Sequence, residues 1–163
     1  MDAKSAIQET FNVSTMVMTS YLSDLDDTEL MNRPGPGCQH VAWQLGHLIV
    51  AENQLLNMVC PGKGVELPAG FAEQHNKDAA NSDERRLFAT KEEYLALFAQ
   101  SEAAIKAALS ELSAEDLDAP SPEGLRNMFP TVGHVFILLG THRLMHAGQW
   151  VPIRRALNKP VVI

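Results

Sequence analysis

The chain has 163 residues, 45% of them hydrophobic, which suits one domain with one core of ordinary size. Acidic residues outnumber basic ones by 20 to 13, and the net charge of −7 opposes binding to phosphate backbones. No apolar run reaches the roughly 18 residues of a membrane span, and the N-terminus MDAKSAIQETFNVS lacks the basic-then-apolar pattern of a signal peptide. Two cysteines, Cys38 and Cys60, make no disulfide framework and fit a reducing compartment. The expected setting is the cytoplasm, with neither a membrane nor a nucleic acid as partner. Arg154, Arg155 and Lys159 form a basic cluster too small for a polyanion site, and read as complements to a helix C-terminal dipole.

The first predicted helix runs from about residue 3 to 23. Ile7, Phe11, Val17, Met18, Tyr21 and Leu25 lie near one face at spacings of three and four. A loop follows and ends in Pro34, Gly35, Pro36 and Gly37. The second helix covers about 38–59, with an apolar side of Val41, Leu45, Leu48, Ile49, Leu55, Leu56 and Val59, and Cys60-Pro61-Gly62 stops it. Residues 61–89 are a long polar connection of the kind that is often functional or mobile. Thr90 and Glu93 form a capping box that starts the third helix, which continues through Tyr94, Phe98, Ile105, Leu109 and Leu112. The fourth opens after Pro130 and runs to about Leu157, kinked or ended by Pro152, which lacks an amide donor. No segment alternates with period two. The expected fold is all-α, a four-helix bundle formed by residues 1–163 as one domain.

Residues 22–48 align without a gap to residues 109–135 at an offset of 87. Identities fall at Leu22/Leu109, Ser23/Ser110, Leu25/Leu112, Leu30/Leu117, Gly37/Gly124, Gly46/Gly133 and His47/His134. These are 7 of 27 positions, where chance gives roughly two on average composition. The match predicts a duplicated helix pair, first helix with third and second with fourth about a pseudo-twofold axis.

Within THRLMHAGQW, residues 141–150, His142 and His146 stand four apart, hence on one helix face one turn apart. Two imidazoles so placed can grip one metal ion, and Gln149 lies further along the same stripe. Arg143, Leu144 and Met145 separate the histidines, so the built-in base of a zinc-protease HExxH helix is absent. Two ligands are fewer than the three of a typical catalytic zinc site. His47, in mid-helix among apolar neighbours, can supply the third if it lies level with residue 144 on an antiparallel fourth helix. The twofold would then set His134 opposite Leu55 and Val59, as the degenerate counterpart of the site. His40 is too far along the helix to share the ion, and His75 reads as an exposed loop residue. Glu52 is about 140° round the helix from His47, which suits a cap or an inter-helix partner better than a ligand. Arg143 is a candidate contact for a substrate in the pocket, or an exposed helix residue.

GHLIVAE at 46–52, HRLMHAGQ at 142–149 and RRALNKP at 154–160 together resemble the DinB/YfiT-like superfamily of bacterial metal-dependent proteins. The resemblance covers nearly the whole chain. It implies a four-helix bundle that binds a divalent metal through three histidines, which carry over to His47, His142 and His146. It also implies a homodimer. Relatives in that superfamily include S-transferases that use bacillithiol or mycothiol and a maleylpyruvate isomerase that uses mycothiol. DNA-damage induction, which the family name denotes, describes expression and not DNA binding.

Three functions are open at this level, all directed at a small molecule or a partner. The first is a metal-dependent transferase that activates a low-molecular-weight thiol cosubstrate, for which no protein base is needed. The second is a metal-dependent hydrolase, for which Glu52 is the nearest acidic residue in sequence. The third is a non-enzymatic metal-binding or partner-binding bundle. Three imidazoles suit zinc, nickel, copper or iron, and zinc or nickel is the expected ion.

Overall fold

A computed structural model describes residues 1–161. The last two residues of the expected 1–163 domain lie outside the described residues. Four long helices make the frame: α1 (Ala3–Leu22), α2 (Val41–Val59), α4 (Lys91–Glu111) and α7 (Val132–Gln149). Four short ones lie between or after them: α3 (Phe71–Gln74), α5 (Ala114–Asp118), α6 (Glu123–Arg126) and α8 (Val151–Ala156). No strand occurs among the described residues. Going round the bundle the order is α1, α7, α2, α4, each packed against its two neighbours.

The helix ends follow from capping chemistry. Asp2 accepts from the Ser5 amide to start α1, and Thr90 and Glu93 form the reciprocal box that starts α4. His40 caps α2 through its ring, which accepts from the Trp43 amide. Pro152 stands in the first turn of α8, where its missing amide costs nothing, so the expected fourth helix is divided into α7 and α8. The 61–89 connection is longer than most loops, yet α3 and two 3₁₀ turns, Ala79–Asn81 and Arg85–Leu87, give it local order.

The 87-residue repeat extends beyond the segment legible in sequence. Lys4 Nζ donates to the carbonyls of Ser110 and Leu112 at the end of α4. Lys91 Nζ, 87 residues on, donates to those of Ser23 and Leu25 at the end of α1. Each lysine thus serves the open carbonyls that a helix C-terminus leaves. The turn after α1 carries a reciprocal bond pair between Asp26 and Glu29, and α5 carries its counterpart between Ser113 and Asp116.

Two apolar clusters fill the bundle. One gathers Met18, Leu22, Leu45, Leu48, Phe98 and Trp150 near the C-terminal end of α1, and the other gathers Ile7, Phe11, Leu56, Ile105, Phe136 and Leu139 toward its N-terminal end. A polar layer from all four long helices separates them: Ser14 and Thr15, Glu52, Ser101 and Glu102, and Arg143. Val17, predicted on the apolar face of α1, is partly buried against the first cluster, while Ser14 is fully buried with its hydroxyl donating to the Phe11 carbonyl.

Candidate metal centre

α2 and α7 run antiparallel, with Gln44 and His47 near His146 and Glu52 near Arg143. That register brings the three histidines together. The ring centroids of His47 lie 5.5 Å from those of both His142 and His146, and the latter two are 4.9 Å apart. One nitrogen from each ring lies within 4.8 Å of the other two, a span that one metal ion can bridge.

Gln44 fixes which nitrogen His146 can offer. Its Oε1 accepts from Trp150 Nε1 at 2.9 Å, and an indole can only donate. Its Nε2 donates to the Gln39 carbonyl at 2.8 Å, which settles the amide orientation. His146 Nδ1, 3.0 Å from the same Oε1, must therefore carry its proton and donate it, which leaves the Nε2 lone pair free. His47 is held differently, with its ring stacked on Trp43 one turn earlier at 4.9 Å and 5° between planes. Burial, with the neighbouring His142 and His47, pushes His146 down to about 3. Burial also lowers His142, and burial with the proximity of His142 lowers His47. All three imidazoles are thus neutral at physiological pH, the form in which a lone pair is available.

The three histidines differ in access. His146 is only 9% exposed, whereas His47 and His142 are half-buried. His47 opens onto a cavity of about 460 Å³ between α2 and the α3 segment, with Trp43 and Val50 on its apolar wall and Gln54, Glu73, Asn76 and Lys77 around it.

Other expected residues sit elsewhere. Arg143 is neither a pocket contact nor exposed. It is fully buried on the bundle axis, with Nε 2.5 Å from Glu52 Oε1 and Nη2 2.7 Å from Glu52 Oε2. Glu52, also fully buried, is thus an inter-helix partner, with Oε2 accepting a further bond from Ser101 at 2.8 Å. The pairing offsets the desolvation of both charges, and against the cost of burial the two carboxylates Glu52 and Glu102 hold the guanidinium pKa above its usual value. Gln149 is exposed at the end of α7 and bonds to none of the three histidines; the amide that does so is Gln44. His134 does not face Leu55 and Val59. It is exposed, bonded to Thr131 at 2.8 Å, and lines a groove with Ala3, Ile7 and Thr10 of α1. Arg154 and Lys159 ion-pair with Asp24 and Glu29 in addition to any dipole effect.

His75, expected in solvent, is 2% exposed. Its Nδ1 donates to the Phe71 carbonyl and its Nε2 accepts from the Tyr94 hydroxyl, both at 2.7 Å. Its ring fills the place that a side chain at position 46 would take, so only glycine fits there. Gly133, the repeat counterpart, lies instead under the Leu117 carbonyl, 3.1 Å from where a Cβ would stand. Trp43 and Gln44 could have been found from sequence as helix neighbours of His47, four and three residues before it. No local signal marks His75, because its partners lie on other elements.

The DinB superfamily model matches residues 10–150. The chain belongs to the DinB superfamily. A crystal structure of a conserved protein from Enterococcus faecalis superposes with a TM-score of 0.73 at 18% identity, covering 98% of this chain and 99% of that one. At that identity the likeness shows a shared fold. No curated protein matches the sequence. In this DinB-superfamily chain, no helix among the described residues is long and apolar enough to cross a membrane.

Proposed function

We propose that His47, His142 and His146 hold one divalent metal ion, zinc or nickel, and that the chain uses it to activate a low-molecular-weight thiol for transfer to a second small molecule. The observation that carries this reading is the convergence of three neutral imidazoles within 4.8 Å, one of them oriented by Gln44 with a lone pair free. A divalent ion in such a site supplies a Lewis-acid position at which a thiol loses its proton near neutral pH.

The residues of the chain supply the rest. Gln44 holds the His146 ring, Trp43 holds the His47 ring, and the cavity beside His47 has room for a small molecule. Its rim carries both an acidic and a basic side chain, Glu73 and Lys77, as well as the amides of Gln54 and Asn76. Glu52, the acidic residue nearest His47 in sequence, has both oxygens taken by Arg143 and Ser101, so it is not free to act as the base of a hydrolytic reaction, and this favours transfer. The access that His47 has to the cavity supports a reactive site over a sealed structural one.

The test is elemental analysis of protein purified without chelator or polyhistidine tag, beside His47→Ala and His142→Ala. The expected result is close to one metal ion per chain, lost in both variants. Failure of the wild type to retain zinc, nickel or any other divalent ion after reconstitution would overturn the proposal.

A further inference from the structure

The charged layer at the middle of the bundle is a large departure from apolar packing, and none of its members is one of the three clustered histidines. Arg143 reaches all three other long helices: Glu52 on α2, Glu102 on α4 at 2.7 Å and Thr15 on α1 at 2.9 Å. Its guanidinium lies between the rings of Phe11 and Phe98, at 5.8 and 5.1 Å. Those two phenylalanines are 87 residues apart, as are Ser14 and Ser101, so the guanidinium is flanked by repeat-equivalent rings.

Buried ion pairs are poor sources of stability, because desolvation offsets most of the attraction; their best-attested use is to select one register among several that apolar packing tolerates. The apolar residues buried on α2 and α7, such as Leu45, Leu48, Leu56, Val135 and Leu139, make non-directional contacts, which penalise an axial slip less sharply than a directional bond does. A two-pronged guanidinium–carboxylate pair does not tolerate it, since both bonds are lost together. Arg143 directly follows His142 and precedes His146 by three residues, and Glu52 follows His47 by five. The pair thus links the two helices within about a turn of the histidines.

We infer that Glu52 and Arg143 are positioning residues, a register lock that sets His47 against His142 and His146. The consequence for metal rests on the function proposed above; the lock itself does not. The test uses the full chain as the double variant Glu52→Leu with Arg143→Met, which removes both charges and keeps the volume, beside Arg143→Lys, which keeps the charge but loses the fork. Contacts between the ring protons of His47 and those of His142 and His146 are measured by NMR in metal-free protein, and Co²⁺ affinity is measured by titration. Both variants are expected to keep their helical circular dichroism, to lose the inter-ring contacts and to bind Co²⁺ about 10–100-fold more weakly. Should the double variant fail to fold, Arg143→Lys decides alone. Unchanged inter-ring contacts in the folded variants would overturn the inference. A wild type that shows those contacts but takes up no Co²⁺ would refute the metal reading and leave the lock standing, provided the variants lose the contacts.

Discussion

Gly46→Ala tests how the α3 segment is fastened over the site. In a helix interior this substitution ordinarily stabilises by up to about 1 kcal/mol. Here the new Cβ would fall well inside 3.0 Å of three atoms of the His75 ring, so the ring must leave. Its departure strands the buried Tyr94 hydroxyl, at about 1–3 kcal/mol. Uncovering part of Phe71 and His75 costs about 1–2 kcal/mol more. Against the propensity gain, the net loss is about 2–3 kcal/mol, which lowers the urea midpoint by about 1–2 M for a chain of this size. Urea titration followed by tryptophan fluorescence reads it, since the Trp43 indole donates to the Asn76 carbonyl in the same segment and reports its release. Gly148→Ala is the control. It is also a helical glycine, but nothing lies within 4 Å of its would-be Cβ, so a gain of a few tenths of a kcal/mol is expected. A Gly46→Ala protein as stable as the wild type would refute the plug arrangement.

Gln44→Ala frees the His146 ring to rotate and is expected to weaken metal binding about 10–100-fold, while Gln44→Glu, which still accepts from Nδ1, should weaken it less; competition with a chromogenic chelator measures both. His40 accepts from the Trp43 amide through Nδ1 and lies 3.1 Å from the Ser82 carbonyl through Nε2, and burial, with Arg33 nearby, lowers its pKa from 6.5 to about 4. The unfolded chain therefore binds this proton first, so the contribution of His40 is complete above pH 6.5 and falls by about 3 kcal/mol as the pH drops toward 4. His40→Asn keeps an N-cap acceptor without the titration, and denaturation curves across that window should show a shallower acid loss, an equal slope in both proteins counting against the assignment. Lys4→Met and Lys91→Met remove equivalent helix caps and should each cost about 0.5–1 kcal/mol, additively, by urea denaturation; a large inequality would argue against equivalent roles in the two halves.

The four long helices and the His142–His146 pair were legible because each depends on local spacing. The Thr90–Glu93 box, the turn at Pro152 and the four-residue step from His142 to His146 can all be read within one helical segment. The partner of that pair, His47, lies on another helix, where local spacing does not find it; the family resemblance names it, and its level with residue 144 stands as a condition that the repeat only accommodates. Arg143 and Glu52 were harder, since charged side chains ordinarily belong at the surface, and their burial is decided by a pairing between residues 91 positions apart. Gln149 shares the stripe of His142 and His146 yet bonds to neither, whereas the amide that orients His146 comes from the facing helix. His75 was misread for the same reason, as its burial depends on a vacancy at Gly46 and a hydroxyl at Tyr94, neither of which its own neighbours reveal.

The reciprocal lysine caps carry a consequence for how the chain reaches this state. While it is being synthesised, α1 can coil early, but the carbonyls at its end wait for Lys91, and Lys4 finds its acceptors only when residues 110–112 have emerged. Arg143 comes later still, and until then Glu52 has no cation to justify its burial. The first half therefore closes without its full set of polar partners until the second has formed. Both halves gain their polar closure from each other in one late step, so loss of order should spread through the whole bundle as a single cooperative transition.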